Sequence, residues 1–302
     1  VHSVTPKAGL ITAVAGLLSR TRIRIHWFTG QVWVLKHGLR RITLKTLDRL
    51  IATLNTALLV DSVSQLEFLI RQKVLNAGTA KVLGSGSISG VDINRFRPDL
   101  KSRDEIRAEL KIDDPNATVL IFVGRLNPDK GVDTLLEAFQ NSHIQPNTYL
   151  LLVGADEEQY GSRFAKILGE RAKNLRYIRH TNEPEKYLAA SDIFLLPSLR
   201  EGFGLSLIEA SSCSLAVIAS NIYGVKDAVR DGETGILMDV NDSEQLAAAI
   251  NKLSANNVRR MEMGLNGRRF VVDNFQSTQL QQLLAAYYAD LIRSDQRPHA
   301  EC

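Results

Sequence analysis

Cysteine is nearly absent: Cys213 and Cys302 are the only two in 302 residues. Two thiols cannot build a disulfide framework, and no Cys/His spacing offers a zinc site, so neither cross-links nor a metal is expected to hold the chain together. A reducing cytoplasm is the compartment this implies. Long apolar runs are missing too. The nearest, 8–18, has the length of a buried helix and falls short of the roughly 18 residues of a membrane span. Aromatic residues amount to 6% and do not interleave with the basic ones, which argues against a nucleic-acid partner. The chain opens at Val1 with neither an initiator methionine nor a signal peptide. Residues 1–5 already read as a strand leaving a core, so a truncated start is expected.

Acidic residues are scarce at the front. Residues 1–95 hold 13 Lys/Arg and 4 Asp/Glu, a balance of +9, whereas 96–302 hold 24 and 29, a balance of −5. A basic first segment fits an anionic partner, and a phosphorylated lipid or membrane surface suits it better than nucleic acid. A solvated basic face is the plain alternative.

Apolar residues, 44% of the total, fall in short segments that alternate with amphipathic stretches of helical length. That alternation is the pattern of βα units feeding parallel sheets, and the chain is long enough for two domains. Strands are expected at 117–123, 149–153, 175–178, 193–196 and 216–219, with helices at 131–139, 161–172, 184–190, 206–212 and 243–253. Together they describe one doubly wound domain. Before residue 95 there are fewer units: strands near 23–27, 57–60 and 80–83, helices near 9–18, 39–53 and 62–74. That is half a Rossmann-like domain, about 70 to 90 residues short of a full one at roughly 30 residues per βαβ unit. Gly90 and Pro98 bracket the expected hinge. The fold class is therefore α/β, with domains at 1–95 and 96–279.

Two segments carry chemistry. Val123 to Gly131, VGRLNPDKG, puts Arg125 and Lys130 beyond a strand's carboxyl end and before a helix, where a doubly wound sheet binds ligands and two cations suit a diphosphate. Pro197 to Glu209, PSLREGFGLSLIE, puts Glu201 in the loop after another strand, with Gly202 and Gly204 allowing close backbone approach. The helix that follows offers free N–H groups to an anion, and Glu209 lies within reach of a ribose diol. The spacing alone is weak: with 15 glutamates in 302 residues, chance supplies about 0.7 pairs eight apart. Strand–loop–helix context on both segments supplies the specificity.

With these motifs the sequence resembles the family-4 glycosyltransferases of the GT-B fold. Also matching, in order, are Thr5-Pro6-Lys7-Ala8-Gly9, Gly90-Val91-Asp92 with Arg95-Phe96, Asp192 before Pro197-Ser198, and Asp231-Gly232 with Thr234-Gly235. The resemblance implies a partial acceptor-side domain over 1–95, a nucleotide-sugar donor domain over 96–279, and a last helix near 280–295 that packs back on the first domain. It implies that Arg125 and Lys130 hold the donor diphosphate beside Gly124, that Glu201 takes donor-sugar hydroxyls, and that Glu209 holds the ribose. Gly202, Phe203, Gly204, Leu205 and Ser206 would line sugar and phosphates, and Arg179 and His180 would flank the base. The implied activity is transfer of a hexose from a nucleotide sugar, a UDP-sugar, with retention, to a lipid-linked or polysaccharide acceptor, with no metal or other cofactor. A non-catalytic nucleotide-sugar-binding fragment and a UDP-sugar epimerase are the alternatives.

One departure stands out. Many such enzymes bring a His-Gly to the donor sugar, but this chain reads His26-Trp27-Phe28-Thr29-Gly30-Gln31, with Thr29 in the place of that histidine. His26 is the candidate substitute, against the plain reading of a core histidine. The phrase resembles a subgroup acting in bacterial surface-polysaccharide synthesis. Finally, 36–54 aligns Arg41, Lys45 and Arg49 on one helical face. With His37 and Arg40 these cations are expected to meet membrane lipid or a polyprenol diphosphate on the inner face of the membrane, solvation being the alternative.

Overall fold

The computed structural model describes residues 1–141 and 143–296, so Cys302 lies outside the described residues. The chain divides into two compact units: one of 1–90, 200–203 and the segment from Asn274 onward, the other of 91–199 and 204–273. The divisions fall at Gly90 and Asn274, and four residues of the Glu201 loop belong to the first unit, where the sequence suggested unbroken domains over 1–95 and 96–279.

The first unit carries a parallel sheet in the order β1 (His2–Ser3), β2 (Ile25–Phe28), β3 (Ala57–Val60), β4 (Ala80–Val82). Between the strands run α1 (Pro6–Leu18), α2 (Gly38–Leu54) and α3 (Val63–Arg71). Helix α1 starts at Thr5, whose side chain accepts from the Ala8 N–H, with Pro6 in the first turn; Ser62 caps α3 in the same way. Both sheet faces are covered, so the strands read as apolar runs rather than alternating ones. Phe28, Leu58 and Val60 pack with Trp33, Ile51 and Leu69 on one side. Ile25, Trp27 and Leu59 pack on the other with the C-terminal helix Ser277–Gln296 through Leu280, Leu284 and Tyr287.

The basic face of α2 is turned to internal use. Arg41 and Lys45 lie over the Trp33 ring at 5.7 and 5.4 Å, Lys45 Nζ donates to Gln72 at 2.9 Å, and Arg49 Nε donates to the Lys73 carbonyl at 2.7 Å. Trp33 in turn donates to buried Asp48 at 2.7 Å, whose carboxyl is pushed up to about 6 by burial. Long cationic side chains are covering an aromatic with their stems and heads here, which sequence periodicity does not distinguish from a lipid-facing row.

The second unit is doubly wound. Its six parallel strands are β5 (Thr118–Val123), β6 (Thr148–Val153), β7 (Leu175–Ile178), β8 (Ile193–Leu196), β9 (Ala216–Ser220) and β10 (Gly235–Met238), in the spatial order β10-β9-β8-β5-β6-β7. The direction of winding reverses between β5 and β8, the switch point at which such sheets open a crevice beyond the strands' carboxyl ends. Helices α4 (Leu100–Glu109), α5 (Val132–Gln140), α6 (Phe164–Leu168), α7 (Pro184–Ala189), α8 (Leu205–Ser212), α9 (Ser243–Ala255) and α10 (Asn257–Asn274) complete it. The helix expected over 161–172 is broken into α6 and flanking 3-10 turns, with Gly169 at φ +55°. Strand β10 and helices α4 and α10 were not anticipated. Among the described residues no helix is long and apolar enough to cross a membrane.

Candidate functional site

Both chemistry-bearing segments leave the two strands at the switch point. After β5, Asn127 accepts from the Lys130 N–H and so shapes a 3-10 turn over Pro128–Lys130. Gly131 then takes φ +69°, and a Cβ there would sit 2.0 Å from the Pro197 carbonyl oxygen just past β8. The Leu199 N–H donates to the Asp129 carbonyl at 2.9 Å. The loops after β5 and β8 are therefore locked together, and only glycine fits at the lock.

The second unit carries most of the candidate residues named from the sequence. Arg125 is exposed and paired with Glu157 at 3.0 Å, and Glu157 also accepts from Asn127 at 2.8 Å; these two contacts hold the Glu157 carboxyl below the usual range. Such a pair at 57% and 40% side-chain exposure is weak and exchangeable, so Arg125 can turn to a stronger anion. Lys130 is half-buried in the same turn. Helix α8 begins after Gly204, at φ +84°, with no side chain capping its first turn, leaving the amides at Leu205 and Ser206 oriented for an anion. One turn further on, burial pushes the Glu209 carboxyl up to about 7, with Arg95 opposing and Glu185 reinforcing the shift. Arg95 itself donates to Glu185 at 2.8 Å. Arg179 and His180 are exposed just beyond β7. Gly124 follows β5 directly, its N–H donating to the Val153 carbonyl.

Glu201, Gly202 and Phe203 belong to the first unit. The Phe203 ring is buried, meeting Phe275 edge-on at 5.2 Å, and so anchors the loop. Gly202 also has a different reason for being glycine: a Cβ would lie 2.5 Å from Asp61 Oδ2 and 2.8 Å from the Gly30 nitrogen. Gly30 presses on the same place, and its carbonyl accepts from Arg200 at 3.2 Å. Thr29 is held by Gln65, whose Nε2 donates to its carbonyl at 2.6 Å.

His26 is a core histidine in the first unit. It is 1% exposed, its ring fills the space left by Gly9, and Nδ1 meets Ser3 Oγ at 2.9 Å. Burial, with His2 adding, lowers its pKa to about 4, so the ring is neutral near neutrality. Asp61, Asn127 and Glu157 were missed by sequence reasoning. Asp61 had a signal: like Glu201 it is a carboxylate just past a strand's carboxyl end.

A concavity of about 520 Å³ opens at the amino ends of β5, β8 and β9 beside Arg103, Asp192 and Arg260. Its charged groups have partners, Arg260 donating to the Leu253 carbonyl at 2.9 Å. Asp192 takes Arg103 at 2.7 Å, Arg107 at 2.8 Å and the Val119 N–H at 2.7 Å, which makes this a structural knot at the end of the sheet opposite the switch-point loops. Among the described residues no group of three or more His, Cys, Asp or Glu side chains is placed to hold a metal ion.

Comparison with known proteins places this geometry. The family model described as glycosyl transferases group 1 matches residues 102–270. The chain is 28% identical over 298 residues to the capsular polysaccharide biosynthesis glycosyltransferase CapM of Staphylococcus aureus, covering 98% of this chain and 78% of CapM. It is 35% identical over 196 residues to the D-inositol 3-phosphate glycosyltransferase of Rhodococcus opacus, covering 62% of this chain but only 43% of that protein. Among solved structures, Anabaena HepE in complex with UDP superposes with a TM-score of 0.82 at 21% identity over 96% of this chain and 78% of HepE. The two-sheet α/β fold is thus the GT-B fold.

Proposed function

Because the chain belongs to the glycosyl transferases group 1 family, we propose that it is a retaining hexosyltransferase that uses a UDP-sugar and extends a lipid-linked or polysaccharide acceptor. The observation that carries this reading is the lock at the switch point. Arg125 and Lys130 lie on one of the two loops that Gly131 and Leu199 hold together, and the other leads on to the uncapped start of α8. CapM's role in capsular polysaccharide biosynthesis and the UDP held by HepE support the acceptor and donor classes.

In this reading Arg125, Lys130 and the first amides of α8 bind the donor diphosphate, Glu209 the ribose, and Arg179 with His180 the base, while Glu201 takes donor-sugar hydroxyls. As the bond from the anomeric carbon to the diphosphate breaks, negative charge gathers on the leaving oxygens. Cations and helix amides already in place stabilise that charge more than they stabilise the intact donor, which lowers the barrier without metal. The acceptor hydroxyl forms its new bond on the face the diphosphate leaves, and its proton passes to a departing phosphate oxygen. Retention then needs no protein nucleophile, unlike the paired carboxylates of glycosidases. His26 has no part, being buried and neutral.

The protein is proposed to work in the cytoplasm, peripherally on the inner face of the membrane. The surface suited to that contact is the start of α2, where Leu39 and Ile42 are 81% and 61% exposed beside Arg40. A UDP-sugar panel offered to the protein with a saccharide or polyprenol acceptor, products being identified by mass spectrometry and their anomeric configuration by NMR, tests the activity. A glycosylated acceptor of retained configuration supports it, and an isomerised or unchanged donor overturns it.

A further inference from the structure

Asp61 is a buried carboxylate to which the proposed chemistry gives no role. It is 2% exposed, at the carboxyl end of β3, and its Oδ1 has no hydrogen-bond partner. Its backbone cannot swing away, because its N–H donates to Gln65 Oε1 at 2.7 Å and its carbonyl accepts from the Ser87 N–H at 2.7 Å. Gly86 closes over that carbonyl, with a Cβ there lying 2.4 Å from the oxygen. From this fixed base the other oxygen, Oδ2, points at Gly202 and fills the space its side chain would need. Burial pushes the carboxyl up to about 7, opposed by the Trp27 indole, whose N–H is near but completes no hydrogen bond. A buried carboxyl with one oxygen left unpaired, against a loop that bears another carboxylate, has a cost that packing alone does not explain.

We propose that Asp61 is the positioning residue for Glu201: its carboxyl, wedged beneath Gly202, fixes the 200–203 loop of the first unit and thereby the direction in which Glu201 presents its oxygens. Asp61 touches no substrate and acts through its neighbour. The functional consequence rests on the reading of Glu201 as the donor-sugar carboxylate. The positioning itself does not.

The test uses the full chain with Asp61→Ala, Asp61→Asn and Gly202→Ala. Amide hydrogen exchange of the peptide spanning 197–206 is measured, together with affinity for UDP and for a UDP-sugar. Asp61→Ala is expected to speed exchange in that peptide on the order of tenfold while β3 and α9 peptides keep wild-type protection. Asp61→Asn, of the same shape, keeps the wild-type rate. Gly202→Ala gives the same loosening from the other side of the contact, which preserves the test should Asp61→Ala fail to fold. UDP affinity stays within about twofold in both Asp61 variants, while the added affinity for the sugar moiety is lost in Asp61→Ala alone, since only ordered contacts contribute it. Unchanged exchange at 197–206 in both Asp61→Ala and Gly202→Ala overturns the proposal. Faster exchange with sugar affinity intact leaves Asp61 as the loop's anchor and overturns instead the assignment of Glu201 to the donor sugar.

Discussion

Gly131→Ala is the substitution that most directly probes the lock between the β5 and β8 loops. Alanine at φ +69° carries a backbone penalty of about 1–2 kcal/mol. Its Cβ would also lie 2.0 Å from the Pro197 oxygen, where carbon and oxygen normally stop at about 3.3 Å. One loop must therefore retreat by more than about 1 Å, and the Leu199–Asp129 hydrogen bond, worth about 1 kcal/mol, goes with it. The total is about 2–3 kcal/mol. Gly232→Ala is the matched control: φ is +75° and nothing lies within 4 Å of the added Cβ, so only the backbone penalty applies. Thermal unfolding and calorimetric titration with UDP read both effects. Gly131→Ala is expected to melt several degrees below Gly232→Ala, at about 2–4 °C per kcal/mol for a unit of this size, and to lose UDP affinity on the order of tenfold although no ligand-facing side chain changed. Equal melting temperatures with UDP affinity within about twofold of wild type would refute the reasoning.

Arg125→Ala is expected to leave thermal stability unchanged, because its exposed pair with Glu157 contributes little, while UDP affinity measured by titration falls on the order of tenfold or more with the lost charge-assisted contact. Asp192→Asn, which removes the charge shared by Arg103 and Arg107 from a side chain only 9% exposed, is expected to lower unfolding stability in urea by about 2–4 kcal/mol. His26 gives a pH signature. Its folded pKa of about 4 lies below its ordinary value, so the neutral ring contributes stability fully above about pH 6.5 that is lost as pH falls towards 4, at most about 3 kcal/mol. Asp48, Asp61 and Glu209, raised to about 6, 7 and 7, act in the opposite sense, their burial penalty easing as pH falls. The quantity to measure is therefore the stability of wild type minus that of His26→Gln, which is expected to shrink from pH 7 to pH 4; a constant difference contradicts the buried neutral ring.

The strand–loop–helix units that carry the candidate site were legible because their signals are local. Strands β5 and β8 are short, largely apolar runs, each followed by Gly and Pro punctuation, and the charges of Arg125, Lys130 and Glu201 sit at fixed offsets from them. Where the reason for a residue lay in a distant partner, the pattern misled. The contacts of Gly202 with Asp61 and of Phe203 with Phe275 join residues far apart in the chain and leave no local signal. Helix α10 was missed because Gly264 and Gly267 argue against a helix, yet a Cβ at Gly264 would lie 2.0 Å from the Ser214 carbonyl, a close approach invisible in sequence. Helix α4 was missed because only Leu100 and Ile106 mark its apolar stripe. Cations at Arg41, Lys45 and Arg49 followed the predicted spacing, but the ring and carbonyls that hold them come from Trp33, Gln72 and Lys73.

A crystal structure of the full chain soaked with UDP tests the central claim most directly. The account predicts the diphosphate between the 124–131 turn and the first turn of α8, with Arg125 released from Glu157 and bonded to a phosphate oxygen. UDP seated instead in the concavity beside Arg103 and Arg260, with the Arg125–Glu157 pair intact, would contradict it.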